Sequence, residues 1–204
     1  MLAEIVKQES SRSKLLMISL EEMIIEIKQL LPPYGTHGFE HTIRVYKTCI
    51  HIGKIEHADQ SILLPAALLH DFAREEYNHA EAGAEKAKSI LRRYNYSENQ
   101  IEKISQVIST HSFSAKKTPK TLDAKILSDA DKLDAIGAIG IYRTATYSGE
   151  HARSIEEFII HFHEKLLKLI DLLYTDEAKK IAVKRTKYMK KYLTHLEEEL
   201  KDKT

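Results

Sequence analysis

The feature that most constrains the fold of this chain is an apolar run from Ile62 to Leu69 that ends directly in His70 and Asp71. A segment that is apolar on nearly every side predicts a helix at the centre of a core. An imidazole and a carboxylate at its tip need a partner, because an unpaired charge in apolar surroundings is costly or shifts its pKa. The simplest partner is a divalent metal held between helices.

Composition predicts that the remaining elements are helices as well. The 204 residues include 7 Gly, 4 Pro and no Trp. Long stretches of Leu, Ile, Ala, Lys and Glu favour helices strongly. Hydrophobic residues make up 43% of the chain, which is enough for a real core. We therefore predict an all-α helical bundle that forms a single domain over residues 1–204.

Charge and cysteine content limit the partners and the compartment. The chain has 31 basic and 30 acidic residues, a formal net charge of +1. This balance sets up no field for a nucleic acid polymer or an anionic membrane, so we expect neither partner, and any phosphate recognition must be local. Cys49 is the sole cysteine, which excludes an internal disulfide and fits a reducing compartment. Without a signal peptide or an apolar stretch of about 20 residues, the protein is expected to be cytoplasmic.

Three capping boxes predict where helices begin. In each, a Ser is followed three residues later by Glu or Gln: Ser19 with Glu22, Ser97 with Gln100, and Ser154 with Glu157. They predict an N-terminal helix over residues 19–31, a helix ending near His111, and a long amphipathic helix from Ser154 to Leu173, followed by a last helix to about residue 200. The weak pattern before Ser19 leaves two interpretations, a start of translation at Met17 or a short helix packed on the core.

Further His and Asp residues stand at the ends of other apolar stripes. His41 lies in the first turn of a predicted helix, and Asp131 shares a face with Leu127 and Asp134 by spacings of four and three. We take His41, His70, Asp71 and Asp131 as candidate metal ligands. Such a mixed nitrogen and oxygen set suits Mn, Fe, Ni, Co or Zn better than Ca, and it disfavours Mg. Four ligands leave positions for water, which a metal activates as a nucleophile, so the pattern predicts a metal-dependent hydrolase.

The ordered set resembles the HD-domain phosphohydrolases, whose ligands are a His, then a His-Asp pair, then a distant Asp. Here these are His41, the pair His70-Asp71, and Asp131 in the segment Asp129-Ala130-Asp131-Lys132. The resemblance covers about residues 35–149 and implies an HD core there, with the helices at 19–31 and 154–203 packed on it. Stand-alone bacterial and archaeal members are the most similar group, which implies hydrolysis of a phosphate ester or anhydride in a nucleotide or a related small phosphorylated metabolite.

The resemblance also implies roles for residues around the ligands. Asp71 and Glu75 are the candidate catalytic residues, since family nucleotidases often carry a carboxylate after the pair. His79 and His111 are candidates for binding substrate phosphate, with a second metal site or a structural hydrogen bond as alternatives. Arg44 is a candidate phosphate clamp or else a salt-bridge partner, and Lys132 is a candidate phosphate ligand or a member of an ion pair.

The sequence is also compatible with two other functions. A module with the HD fold that binds metal or nucleotide without catalysis is one, and a second-messenger phosphodiesterase is the other. The chain lacks the Gly-Tyr-Pro motif of the HD-GYP phosphodiesterases, which makes cyclic dinucleotides a weaker choice. We expect either a monomer or a homodimer formed through the apolar stripes of the C-terminal helices.

Overall fold

The structure is a computed structural model, which describes residues 2–74, 76, 78–111 and 117–201, with side chains from residue 16 onward except that of residue 79. Within these ranges the chain forms nine α-helices and contains no strand, which confirms the all-α prediction. The helices are α1 (Leu2–Leu30), α2 (Phe39–Ile55), α3 (Gln60–Leu69), α4 (His79–Arg93), α5 (Glu98–Thr110), α6 (Leu122–Asp134), α7 (Gly137–Glu150), α8 (Ile155–Glu164) and α9 (Asp176–Lys201). A 3-10 helix, Leu166–Leu172, precedes α9.

Helix α3 is the central element, and α1, α2, α4, α5 and α6 all pack against it. Every residue from Ile62 to Leu69 is buried, as the apolar run predicts. Asp59 caps the helix by accepting a hydrogen bond from the Ser61 backbone N–H. Because α3 ends at Leu69, His70 and Asp71 stand where the helix meets its neighbours α2 and α6.

The C-terminal helices form a second layer against α6, as predicted. Helix α9 packs on α6 and α7, and Phe162, Leu169 and Met189 are members of the same buried core cluster as the residues of α3. This layer also forms one wall of the cavity described below. The assignment of residues 1–204 to one domain, and the choice between monomer and homodimer, stay predictions.

Two predicted boundaries are wrong. Helix α1 begins at Leu2 instead of Ser19, because residues 2–30 contain neither Pro nor Gly to interrupt it. The Ser154 capping box does form, but its helix ends at Glu164 and a 3-10 helix follows. The buried residues Leu166 and Leu169 are three apart, which matches the repeat of a 3-10 helix and keeps both on the core side.

The described helices include none that is both long enough and apolar enough to cross a membrane.

Candidate functional site

The four candidate metal ligands meet where α2, α3 and α6 converge. The Nε2 atom of His41 lies 3.2 Å from Nε2 of His70, 3.5 Å from Oδ2 of Asp71 and 3.5 Å from Oδ1 of Asp131. His70 Nε2 is 3.7 Å from Asp71 Oδ2. Residues that are distant in sequence therefore present nitrogen and oxygen atoms close enough to share an ion. They do so in three overlapping groups, which are His37, His41 and Asp71; His41, His70 and Asp131; and His70, Asp71 and His111.

Each buried histidine of this centre is held through Nδ1. His70 Nδ1 lies 2.8 Å from the Ala67 carbonyl and His111 Nδ1 2.6 Å from the Ile108 carbonyl, and a carbonyl can only accept, so both nitrogens carry the hydrogen. His41 Nδ1 is 2.7 Å from Oδ2 of Asp134. In the neutral rings the lone pair is then on Nε2, which faces the centre. This is the tautomer that a metal ligand requires.

Asp71 carries the negative charge at the middle of the centre. Its Oδ2 accepts a hydrogen bond of 2.8 Å from His37 Nδ1, and its Oδ1 lies 3.7 Å from His111 Nε2. Burial favours the neutral acid, but the surrounding histidines, His70 first, hold the Asp71 pKa well below its usual value. Arg74 Nη1 also lies 3.7 Å from Oδ1, but within the described ranges this buried oxygen accepts no hydrogen bond. A buried carboxylate oxygen without a donor is costly, and a cation would satisfy it, so the donor set fits a divalent metal.

Asp134 supports the centre from behind. It accepts the His41 hydrogen bond, bonds of 2.7 and 2.9 Å from Nε and an Nη atom of Arg44, and one of 3.0 Å from Arg143. These donors outweigh burial and hold the Asp134 pKa far below its usual value. Burial of His41 lowers its pKa, but the contacts with Asp134 and Asp71 prevail and raise it. Asp134 thus fixes the orientation of a candidate ligand.

The arginine that sequence reasoning missed is Arg143, which lines the cavity and also donates to the Thr36 carbonyl. Its position depends on α7 packing beside α6 so that Arg143 reaches Asp134 and Thr36, which no local sequence pattern indicates. His37 was also missed, although it lies four residues before His41 and the spacing was available.

The structure places the other predicted site residues at different distances from the centre. His111 is fully within it, and Arg44 is bound to Asp134. Lys132 is buried, its Nζ donates to the carbonyl and the hydroxyl of Ser128, and the residue lines the cavity. His79 begins α4, but its side chain lies outside the described residues, as does the whole of Glu75.

Asp129 is turned away from the metal ligands. It accepts hydrogen bonds from the backbone N–H groups of Tyr174 and Thr175, at 2.9 and 2.8 Å, and from the Thr175 hydroxyl at 2.8 Å. These bonds join α6 to the segment just before α9. Asp129 therefore has a structural role, whereas Asp131, two residues later, is a candidate metal ligand.

A cavity of about 680 Å³ opens beside the centre, between α6, α7, α8 and the 3-10 helix. Its inner basic residues, next to the candidate ligands, are His37, Arg74, Lys132 and Arg143. Its outer basic residues are His151, Arg153, His161 and Lys165. Among the described residues that line the cavity, Asp131 is the sole carboxylate. The cavity is thus positively charged and suits an anionic ligand.

Known proteins share both this sequence pattern and this fold. The family model of the HD domain matches residues 38–136. An HD-superfamily hydrolase from Bacillus thuringiensis with a known crystal structure is 31% identical in sequence to this chain. The match covers 92% of this chain and 100% of the chain in that structure, with a TM-score of 0.76. The chain therefore belongs to the HD superfamily, and it is a hydrolase. HD domains bind divalent metals, in agreement with the centre described above.

A second relative is the uncharacterized protein YpgQ of Bacillus subtilis. It is 29% identical over 183 residues, which are 80% of this chain and 84% of YpgQ. The crystal structure of YpgQ in complex with ADP has a TM-score of 0.80, with 27% identity over 91% of this chain and 96% of that one.

Proposed function

We propose that this hydrolase acts on a phosphate ester or anhydride of a nucleotide or a related small phosphorylated metabolite. The observation that carries the proposal is that His70, Asp71 and Asp131 each place an atom within 3.2 to 3.5 Å of His41 Nε2 at the inner end of a basic cavity. The ligand set suits Mn, Fe, Ni, Co or Zn. When bound, such an ion makes water a better nucleophile and polarises a phosphoryl oxygen.

The chain's own residues would hold the phosphoryl group against this centre. Lys132 and Arg143 border the cavity beside Asp131, and both can donate to phosphoryl oxygens. His111 lies on the far side of Asp71, where it would balance that carboxylate or reach an oxygen of the substrate. We retain His79 as a candidate phosphate ligand.

For Arg44, the two hydrogen bonds to Asp134 support the salt-bridge alternative, in which Arg44 acts on the site through Asp134 and His41. Asp71 and Glu75 remain the proposed catalytic carboxylates. Asp71 would hold His37 in position, since it accepts the hydrogen of His37 Nδ1. Burial lowers the His37 pKa, so the neutral ring would offer Nε2 as a proton acceptor.

Two observations support a nucleotide as the substrate. YpgQ, which shares the fold over nine-tenths of this chain, has been crystallised in complex with ADP. The cavity volume of about 680 Å³ is also in the range of pockets for small molecules of nucleotide size. A positively charged lining favours the phosphorylated form over the nucleoside.

The test is a screen of nucleoside mono-, di- and triphosphates with the Mn²⁺-loaded protein, with identification of each product. We expect turnover that a chelator abolishes and that added Mn²⁺ restores. The His70→Gln variant, which lacks one candidate ligand, should be inactive, whereas His195→Gln, an exposed residue of α9, should match the unaltered protein. Tight metal binding with no turnover of any substrate would instead favour the non-catalytic binding module.

A further inference from the structure

The outer end of the cavity contains a group of basic side chains that the proposed chemistry does not use. Arg153 follows α7, His161 belongs to α8, and Lys165 links α8 to the 3-10 helix. The three residues come from consecutive elements that turn back toward one another, and all three line the same cavity. They are referred to below as the outer cluster.

The outer cluster differs from the inner arginines in its lack of counter-charges. At the inner end, Arg74 Nη1 lies 3.7 Å from Asp71 Oδ1 and Arg143 Nη1 lies 3.0 Å from Asp134 Oδ2. Arg153 and Lys165, in contrast, have no carboxylate within ion-pair distance in the part of the chain that the structure describes. Their charges also lower the pKa of His161, on which burial has the largest effect, followed by Lys165 and then Arg153. Glu164 acts in the opposite direction on the His161 pKa, but Arg153 and Lys165 are exposed and have no carboxylate partner among the described residues, so their charge is available to an external anion.

The backbone holds Arg153 in place. Ala152 adopts the left-handed conformation with φ 49°, which is unfavourable for a residue with a Cβ and reverses the chain after α7. The Arg153 N–H then donates to the Ser148 carbonyl at 2.9 Å. Its guanidinium lies 4.6 Å from the centre of the Tyr147 ring, within the range of a cation–π contact. These contacts orient the exposed Arg153 side chain at the cavity wall.

We propose that the outer cluster is a second anion site, which binds a phosphate-class group separate from the phosphoryl group at the metal centre. The inference rests on the proposed function, since it assigns the inner end of the same cavity to the reacting phosphoryl group. Arg153 offers paired N–H donors, Lys165 a point charge and His161 a ring N–H, a donor set that matches phosphate oxygens. The bound group is either a remote phosphoryl group of the substrate or a free phosphate-type anion.

The first measurement uses inorganic pyrophosphate as the probe, by calorimetry with the full chain in chelator, so that the metal contributes no binding. Replacing Arg153 and Lys165 together by Gln should weaken pyrophosphate binding by about tenfold or more, since each removes a charge-assisted contact. The matched control replaces Lys168 and Lys187 by Gln, which removes the same charge from exposed positions outside the cavity. The control should change the affinity less than about twofold. Circular dichroism checks that both variants keep their helix content.

The second measurement separates the two sources of the anion. With Mn²⁺ bound, the double variant should show a KM raised about tenfold for substrates with several phosphoryl groups, and an unchanged KM for a single aryl phosphate. If pyrophosphate affinity falls while every KM stays the same, the site takes a free anion. Both results support the site.

Equal pyrophosphate affinity for the unaltered protein and the double variant would overturn the inference, as would an equal loss in the Lys168 and Lys187 control. The proposed function fails separately. A protein that turns over no substrate, but loses pyrophosphate binding in the double variant alone, would retain the outer site without the proposed activity.

Discussion

The two ends of the cavity use charge in opposite ways. At the inner end, His41 is held by Asp134, His70 by the Ala67 carbonyl and Asp71 by His37. At the outer end, Arg153 and Lys165 have no carboxylate partner among the described residues. The first arrangement fixes atoms before anything binds, whereas the second leaves charge available for a ligand. Preorganisation suits a centre that performs chemistry, and uncompensated charge suits one that selects what enters.

The largest effect is expected from removing a candidate metal ligand at the inner end. Asp131→Ala removes one of the converging carboxylates, and we expect activity and metal retention to fall by orders of magnitude while helix content stays nearly unchanged. Metal content by mass spectrometry and turnover with Mn²⁺ measure the effect.

The paired variant for this test is Asp129→Ala. It should retain the metal but lower the free energy of unfolding by about 1–3 kcal/mol, because the Tyr174 and Thr175 N–H groups lose a buried acceptor. If Asp129→Ala loses the metal and Asp131→Ala keeps it, the carboxylates are assigned wrongly.

A second prediction uses pH on the metal-free protein. Burial lowers the His70 pKa from 6.5 to about 4. Between these values the unfolded chain takes up a proton that the folded chain refuses, so this contribution to stability is complete above pH 6.5 and is lost as the pH falls toward 4. The difference in unfolding free energy between the unaltered protein and His70→Gln should change by up to about 3 kcal/mol across that window.

Urea unfolding at a series of pH values measures this difference. The exposed His195→Gln variant serves as the control. Its difference in unfolding free energy from the unaltered protein should be the same at every pH in the series. A His70→Gln curve parallel to that of the unaltered protein would show that His70 accepts its proton freely in the folded state.

The smallest effect is expected from a change in Asp134, which orients His41 at the inner end. Asp134→Asn keeps the shape of the side chain but removes the charge that orients His41, and we expect metal affinity to fall about 10–100-fold. Competition calorimetry with a metal chelator measures it. Glu40→Gln is the control, because Glu40 is exposed and lies 4.0 Å from Arg44; an equal loss there would mean that net charge, and not orientation, sets the affinity.

The residues of the inner end can be predicted from local sequence far better than those of the outer end. His70, Asp71 and Asp131 stand out because each interrupts or ends an apolar stripe, a pattern visible within one helix. Arg153 and Lys165 look like ordinary surface charges, and their common cavity exists because α7 and α8 turn back on each other. Arg143 was missed for the same reason.

The helix boundaries show a similar division. Capping boxes located the starts of α5 and α8 correctly, since a cap is a local hydrogen bond. Ser19 was misjudged because a capping box within a sequence free of Pro and Gly does not force a start. The break at Lys165 depends on which face the core accepts, which is a property of the packed structure.

The hydrogen bonds of Asp129 have a consequence for shortening this protein. The family match ends at residue 136, which invites a minimal version cut at that point. Such a cut would discard Tyr174 and Thr175 and leave the Asp129 carboxylate buried in α6 without its donors, two residues from a candidate ligand. It would also remove α7 and α8, and with them the outer wall of the cavity. The shortest stretch that sequence comparison recognises is therefore smaller than the shortest stretch that can hold the site.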